Sequence, residues 1–244
     1  MHPAFVDCHS HVVPSGDDGV GSVAEGESLC REAARRGTGI LFATPHVWPH
    51  LVLTEERERA IREAYAELKP RAGLELRLGF ELTPDPRLLD DDPARYELEG
   101  TGAVLVELDF VGSAKLLVAV AEHIEAAGLT PVVAHPERTE AGLANPALAG
   151  ELAERGWLVP VNATSLLGRH GPEPEALAWR LLDEGTAALV ASDGHRLTRP
   201  PFLDEAYARA RTRLGPRADR YFDGTALFGL RSRRPASRAA SRDA

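Results

Sequence analysis

Five short histidine and carboxylate motifs stand out in this chain of 244 residues, because each of them ends an apolar run. They are Asp7-Cys8-His9-Ser10-His11, Thr44-Pro45-His46, Gly79-Phe80-Glu81, Ala134-His135-Pro136 and Ser192-Asp193-Gly194-His195. With two further carboxylates they supply nine candidate metal ligands: His9, His11, Asp18, His46, Glu81, Glu107, His135, Asp193 and His195. Imidazole and carboxylate suit ions such as Mn, Fe or Zn. Nine donors exceed the needs of one ion, so they predict a multinuclear metallohydrolase site.

The spacing within the motifs supports this prediction. His9 and His11 are two residues apart, so on an extended strand both side chains point to the same face. Asp193 and His195 repeat that spacing. Glu81 and Glu107 interrupt otherwise apolar runs, and a buried carboxylate is costly unless a cation or an arginine pairs with it. A metal ion would satisfy these requirements together.

Each motif also has a simpler explanation when it is taken alone. Asp17-Asp18-Gly19 is typical of surface turns, and a single buried histidine is more often structural than a ligand. The recurrence of such motifs at successive strand ends favours the metal site. Outside the motifs, His50 could lie near the site, whereas His123 is expected on a helix surface and His170 in a loop.

Two arginines could extend this chemistry to an anionic substrate. Arg138 and Arg199 follow the last two motifs closely. A guanidinium group suits bidentate phosphate recognition. A salt bridge to a nearby Asp or Glu explains either arginine equally well, so the residues alone leave both interpretations open.

The elements that must position these residues form a βα pattern. Apolar runs at 4–8, 39–43, 74–82, 103–108, 130–134, 158–161 and 187–191 predict seven buried parallel strands. Helices are predicted between and after them at 22–36, 54–69, 113–127, 146–155, 173–184 and 202–214. Candidate ligands follow six of the seven strands. Because a barrel uses the ends of every strand and an open sheet has one crevice, we predict a distorted seven-stranded (β/α)7 TIM-like barrel.

Composition sets further limits. The formal net charge is −9, and the last 14 residues carry five Arg and one Asp, which leaves the remainder near −13. That balance argues against a nucleic-acid partner. We expect one domain over residues 1–230 and a basic, disordered tail over 231–244. Two cysteines, no apolar run long enough to insert stably in a bilayer and no signal peptide ahead of the first strand predict a cytoplasmic protein.

In its motifs the chain resembles the PHP (polymerase and histidinol phosphatase) superfamily. Within it, the chain is similar to the bacterial metal-dependent protein-tyrosine phosphatases of the CpsB/YwqE type. The matching segments span nearly the whole chain in order: 7–19, 43–46, 79–81, 106–107, 134–138, 161–168 and 191–201. The Asp-Asp-Gly turn, Ala134-His-Pro-Glu-Arg138 and the carboxylate of Glu107 are more specific than His-x-His alone. The segment after His46, Val-Trp-Pro-His, departs from the family pattern.

The resemblance implies a PHP fold and a site with three divalent ions, usually Mn. It places His9, His11, Glu81 and Asp193 on one ion, Glu81, Glu107 and His135 on a second, and Asp18, His46 and His195 on a third. It also implies that Arg138 and Arg199 hold the phosphate. Metal-bound hydroxide would attack phosphotyrosine on a protein, with a bacterial tyrosine kinase of exopolysaccharide or capsule synthesis as the expected partner.

Two other functions stay open from the sequence. A small-molecule phosphomonoesterase, such as a histidinol-phosphate phosphatase, would use the same site. A non-catalytic metal-binding regulatory domain would keep the ligands without phosphatase activity. A nuclease is disfavoured by the acidic body of the chain.

Overall fold

The computed structural model of the protein describes residues 4–108 and 114–230. Its strands are β1 Phe5–Ser10, β2 Thr38–Ala43, β3 His46–Val47, β4 Glu75–Leu78, β5 Glu81–Leu82, β6 Ala103–Glu107, β7 Thr130–Ala134, β8 Pro160–Asn162 and β9 Leu189–Ala191. Its α-helices are α1 Val23–Arg35, α2 Glu55–Leu68, α3 Lys115–Ala126, α4 Glu140–Ala144, α5 Leu148–Glu154, α6 Ala163–Leu166, α7 Pro172–Glu184, α8 Asp204–Leu214 and α9 Thr225–Phe228. The chain therefore alternates strands and helices, as the apolar pattern predicts.

Two of the longer helices, α1 and α2, begin at residues whose side chains cap them. The Ser22 side chain accepts a hydrogen bond from the Glu25 N–H at the start of α1. Thr54 accepts one from the Arg57 N–H at the start of α2. These side chains satisfy N–H groups that have no partner inside the helix. The two helix starts predicted from the sequence are thus fixed by local chemistry.

All strand pairs in the described residues are parallel. Hydrogen-bonded neighbours follow the orders β1-β2-β4, β3-β5-β6-β7 and β8-β9. Single parallel bridges connect these groups, from Ser10 to Gly194 and from Val132 to Leu158. The prediction of an α/β fold with parallel strands is confirmed.

The strands are almost completely buried, since helices cover one side and packed side chains fill the other. All residues of β6 are buried, and Val104 and Val106 belong to the large core between the strands and helices. Val6, Leu105 and Leu189 belong to a second, smaller apolar cluster. Fully buried parallel strands explain why their sequences read as continuous apolar runs.

Several predicted boundaries differ from the structure. The predicted strand 74–82 is split into β4 and β5, because β4 pairs with β2 whereas β5 pairs with β3 and β6. A second short strand, β3, follows β2 after Pro45 and was not predicted. The predicted helix 113–127 begins at residue 113, which lies outside the described residues, as does the predicted disordered tail 231–244. No helix within residues 4–108 and 114–230 is long and apolar enough to cross a bilayer.

Candidate metal centre

The nine predicted ligands lie at or just beyond the carboxyl ends of the strands. His9 is the next-to-last residue of the strand β1, and His11 directly follows that strand. His46 and Glu81 begin the short strands β3 and β5. Glu107 ends β6. His135 follows β7, the loop after β1 carries Asp18, and the loop after β9 carries Asp193 and His195. Parallel strands place their carboxyl ends at one edge, so residues far apart in sequence meet there.

The Glu81 carboxylate lies at the centre of this group and is fully buried. Its Oε2 atom is 2.8 Å from His9 Nε2, 3.2 Å from His11 Nε2 and 3.1 Å from His46 Nδ1. Its Oε1 atom is 3.3 Å from His135 Nε2. Burial opposes the charge on Glu81, but the nearby histidines outweigh it and hold the pKa of the carboxyl well below its usual range.

His9 and His11 point to the same side, as their spacing predicts. Their Nε2 atoms are 3.1 Å apart, and both lie within 3.5 Å of Asp193 Oδ1. Two imidazole nitrogens at this distance face each other with lone pairs unless a proton or a cation lies between them. Burial lowers the pKa of His11, but the nearby carboxylates of Asp17, Asp193 and Glu81 raise it well above the ordinary value.

A second group of imidazoles lies on the opposite side of His11. The ring centroids of His11 and His195 are 3.9 Å apart, and those of His11 and His46 are 4.3 Å apart. Asp18 reaches this group from the solvent side, with its Oδ1 atom 3.2 Å from His195 Nε2 and 3.5 Å from His46 Nε2. Burial lowers the pKa of His46 to about 3, so this ring is neutral and able to act as a ligand.

Glu107 and His135 contribute from the neighbouring strand ends. Burial, followed by repulsion from Glu81, raises the pKa of Glu107 to about 8. Its carboxylate contacts the Thr83 hydroxyl. With this pKa, Glu107 is mainly protonated at neutral pH when no cation is nearby. A bound cation would favour the charged carboxylate, because it offsets the repulsion from Glu81.

Two of the predicted ligands have an unusual backbone conformation. His135 and Asp193 are the non-glycine residues with positive φ in the described chain, at 37° and 52°. This conformation costs energy and persists only where the surroundings enforce it. Contacts from other parts of the chain must therefore hold His135 and Asp193, which follow β7 and β9, in this conformation.

A buried polar network provides that support. Glu137 Oε1 accepts hydrogen bonds from the Asn162 N–H and the Ser165 hydroxyl, both at 2.8 Å. Asn162 Nδ2 then donates to Asp193 Oδ2 at 3.1 Å. The turn that carries His135 is thus connected through Glu137 and Asn162 to Asp193.

The same network continues outward to His170. The Thr164 N–H and hydroxyl donate to Asn162 Oδ1 at 3.0 Å and 2.6 Å, so the amide group of Asn162 has one orientation. His170 Nε2 lies 2.7 Å from the Thr164 hydroxyl oxygen. Since that hydroxyl has already donated its hydrogen, His170 Nε2 is the donor. His170 lies in a turn, as predicted, and is nevertheless connected to the site through Thr164 and Asn162.

Both predicted phosphate-binding arginines reach the cluster. Arg138 Nη1 is 2.5 Å from Asp193 Oδ2. The Arg199 guanidinium contacts the His195 ring and lies 3.6 Å from Asp193 Oδ1. The sequence left a salt bridge and a phosphate site open for each of them, and the structure shows Arg138 paired with a carboxylate at the edge of the cluster.

The donor geometry fits divalent cations. Ligand atoms within 4.8 Å of one another form the groups His9-His11-Glu81-Asp193, His46-Glu81-Glu107 and His11-His46-His195. The Glu81 Oε2 and His46 Nδ1 atoms are buried without a hydrogen-bond partner, although they face each other. The first group equals the set implied for the first ion. In the other two, His46 and His11 take the places implied for His135 and Asp18, which lie at the margin of these groups.

Several supporting residues were not among the predicted site residues. Asp17 Oδ2 accepts a hydrogen bond from the His46 N–H at 3.0 Å and lies 3.6 Å from His11 Nδ1. Asp7 Oδ1 accepts from the Ser192 N–H at 3.0 Å, and burial raises the pKa of Asp7 to about 6. Asp7, Asp17, Glu137 and Asn162 all lie inside the sequence motifs. Asp7, Asp17 and Glu137 each lie within two residues of a candidate ligand in the sequence, a signal that could have identified them, whereas Asn162 has no such neighbour.

An α/β fold of parallel strands with this histidine and carboxylate cluster defines a candidate multinuclear metalloprotein. The model of the family described as capsular polysaccharide synthesis, CpsB/CapC, matches residues 5–222. The chain therefore belongs to the CpsB/CapC family, and the resemblance recognised from its motifs is confirmed.

The relatives to which the chain is similar are named tyrosine-protein phosphatases. Over 207 residues the chain is 29% identical to the tyrosine-protein phosphatase YwqE of Bacillus subtilis, covering 79% of this chain and 78% of YwqE. It is 30% identical over 217 residues to the tyrosine-protein phosphatase CpsB of Streptococcus agalactiae, covering 83% and 88%. The solved structures of YwqE from B. subtilis and CpsB from Streptococcus pneumoniae are described as unique metal-dependent tyrosine phosphatases. One of their chains superposes with a TM-score of 0.82 at 28% identity, over 93% of this chain and 95% of the other.

A more distant structural likeness supports the fold alone. Dihydropyrimidinase from Brevibacillus agri superposes with a TM-score of 0.62 at 13% identity, covering 94% of this chain and 71% of that one.

Proposed function

We propose that this protein is a metal-dependent phosphatase that hydrolyses phosphotyrosine on proteins. The observation that carries the proposal is the arrangement of Arg138 and Arg199 beside a buried cluster of imidazoles and carboxylates. Membership of the CpsB/CapC family and the names of its relatives support the same activity. A bacterial tyrosine kinase of exopolysaccharide or capsule synthesis is the proposed physiological substrate.

The proposed cofactors are three divalent ions, with Mn as the expected metal. His9, His11, Glu81 and Asp193 would hold one ion, Glu81, Glu107 and His135 a second, and Asp18, His46 and His195 the third. Bound ions of this kind lower the pKa of water and polarise phosphate oxygens. Tight convergence of three imidazoles on one Glu81 oxygen supports their presence.

The residues of the chain would position the substrate. Arg138 and Arg199 would pair with phosphate oxygens and stabilise the charge that develops on them. Arg138 would exchange its contact with Asp193 for the phosphate, which leaves that carboxylate to the metal. The Asn162 amide would then keep Asp193 in place through its hydrogen bond to Oδ2.

The remaining structural proposals concern the whole domain. We propose that residues 1–230 form one catalytic domain and that its strands close into a distorted seven-stranded barrel. The bridges Ser10–Gly194 and Val132–Leu158, which connect the three sheets, support closure. We also propose a cytoplasmic location, supported by the free thiols of Cys8 and Cys30 in a fold of this kind.

The test is metal analysis combined with turnover of a phosphotyrosine peptide and of histidinol phosphate in the presence of Mn. Arg138→Ala is expected to keep its metal and to lose about 100-fold or more in kcat/KM, as for other removed charge-stabilising donors. Arg155→Ala is the matched control, because Arg155 pairs with Glu122 on the surface.

Three results would contradict the proposal or one of its parts. Faster hydrolysis of histidinol phosphate than of the peptide would favour a small-molecule phosphomonoesterase. Bound metal with no turnover of either substrate would favour a regulatory domain. Near-wild-type activity in Arg138→Ala would remove Arg138 from the phosphate site.

A further inference from the structure

A small cavity adjoins the candidate metal centre on the side of β3 and β5. It has a volume of about 240 Å³, and its lining includes Val47, Trp48, Val52, Thr83, Asp91 and Tyr96. Val47 and Trp48 directly follow His46, and Thr83 lies two residues beyond Glu81. The cavity is therefore lined by residues that closely follow two candidate ligands, His46 and Glu81, in the chain.

Two of its lining residues contact candidate metal ligands. The Trp48 ring stacks on the His46 ring with centroids 4.3 Å apart. The Thr83 hydroxyl contacts the Glu107 carboxylate. At each of these two points a single side chain separates the cavity from the cluster.

The wall offers aromatic and aliphatic surface, and its two arginines, Arg87 and Arg95, are paired with carboxylates. Arg87 pairs with Asp85 at 2.7 Å, and Arg95 pairs with Glu58 at 2.6 Å. The Asp91 carboxylate accepts a hydrogen bond from the Tyr96 hydroxyl at 2.5 Å. These pairs satisfy the polar groups, which leaves the aromatic and aliphatic side chains to contact a ligand.

An exposed apolar side chain marks the rim. Val52 lines the cavity and is 38% exposed, one of three large apolar side chains exposed among the described residues. Pockets for drug-sized ligands usually measure roughly 300–1,000 Å³, so a volume of about 240 Å³ suits one ring better than a length of peptide. Aromatic walls favour an aromatic occupant through offset or edge contacts.

We propose that this cavity is a subsite for the phenyl ring of phosphotyrosine. The inference rests on the proposed function and specifies how its substrate is selected. In phosphotyrosine the ester oxygen is attached directly to the ring, so the ring must lie beside the phosphate. In phosphoserine a single methylene group takes that place and leaves the cavity unfilled. The cavity therefore favours aryl over alkyl phosphate esters.

The test fills the cavity from its rim. Val52→Trp is expected to raise KM for free phosphotyrosine by about tenfold or more, the size of effect seen when a fitted apolar pocket is altered. KM for phosphoserine and the affinity for Mn are expected to stay unchanged. Leu89→Trp is the matched control, because Leu89 is also 38% exposed but does not line the cavity.

Equal changes of KM for both substrates, or no change for either, would overturn the subsite. An effect on phosphotyrosine peptides but not on free phosphotyrosine would also overturn it, because a neighbouring peptide residue would then be the occupant.

A binding measurement separates the subsite from the reaction. Phenylphosphonate and methylphosphonate carry the same charged group and are not hydrolysed. Calorimetric titration of the Mn-loaded protein is expected to show preference for phenylphosphonate in the wild type and in Leu89→Trp, and loss of that preference in Val52→Trp. A wild type that shows the preference but does not hydrolyse phosphotyrosine would refute the proposed function and keep the subsite. Absence of the preference in the wild type would refute the subsite.

Discussion

The two sides of the candidate metal centre position their ligands by different means. On one side lie His9 in β1 and His11 directly after it, the strand-held pair, whose two-residue spacing on extended backbone directs both rings to Glu81 Oε2. On the other side, His135 and Asp193, the network-held pair, have positive φ and depend on buried polar side chains. Regular backbone thus holds one pair and side-chain hydrogen bonds hold the other. The second pair is therefore more sensitive to substitutions outside the ligands.

Glu81 belongs to both sides, so its replacement should have the largest effect. Glu81→Gln removes the charge that contacts His9, His11 and His135. We expect Mn affinity to fall by more than about 100-fold, beyond the range for loss of an outer partner of a ligand. Calorimetric titration measures this, with Glu122→Gln on the surface as the control. A loss below tenfold would show that Glu81 is not shared between ions.

Replacing one buried polar residue near each pair of ligands tests whether the two pairs are held by different means. Asn162→Ala removes the hydrogen bond to Asp193 and should lower Mn affinity by about 10–100-fold. Ser10→Ala removes a buried hydrogen bond from the Ser10 hydroxyl to the Phe42 carbonyl. Ser10 lies between His9 and His11, but this hydrogen bond does not involve the side chain of a ligand. We expect Ser10→Ala to leave Mn affinity unchanged. Equal losses in the two variants would mean that both pairs depend on side-chain support.

The sequence predicted the strand-held pair better than the network-held pair for a physical reason. Alternation along a strand has a fixed period, so the common direction of His9 and His11 followed from their spacing. The helix starts at Ser22 and Thr54 were also local, since a cap acts within three residues. Features that depend on contacts within a few residues can be predicted from one segment of the sequence.

The remaining features depend on contacts between distant segments. The positive φ of Asp193 is enforced through Asn162, which lies 31 residues earlier and is itself fixed by Glu137. Nothing in the spacing of those residues reveals this connection. The split of the predicted strand 74–82 is similar, because the Glu81 N–H pairs with the Pro45 carbonyl and thereby begins a separate short strand. The sequence therefore predicted that the ligands converge at one site, but not which buried hydrogen bonds hold His135 and Asp193 in place.

The smallest expected effect concerns the outer end of the network. Burial, and then the charge of Arg138, lowers the pKa of His170 from its ordinary 6.5 to about 4. Between these values the unfolded chain binds a proton that the folded protein does not. The resulting contribution to stability is complete above pH 6.5 and is lost as pH falls through 6.5 toward 4.

His170→Asn should remove this part of the pH dependence. The limiting slope for one proton is about 1.4 kcal/mol per pH unit, and partial exposure of the ring reduces it. Urea unfolding of the metal-free protein near pH 7, 5.5 and 4.5 measures the change, with the exposed His50→Asn as control. We expect the wild type and His50→Asn to lose more stability on acidification than His170→Asn. Parallel pH profiles for all three proteins would show that His170 is not held neutral, and the network would then end at Thr164.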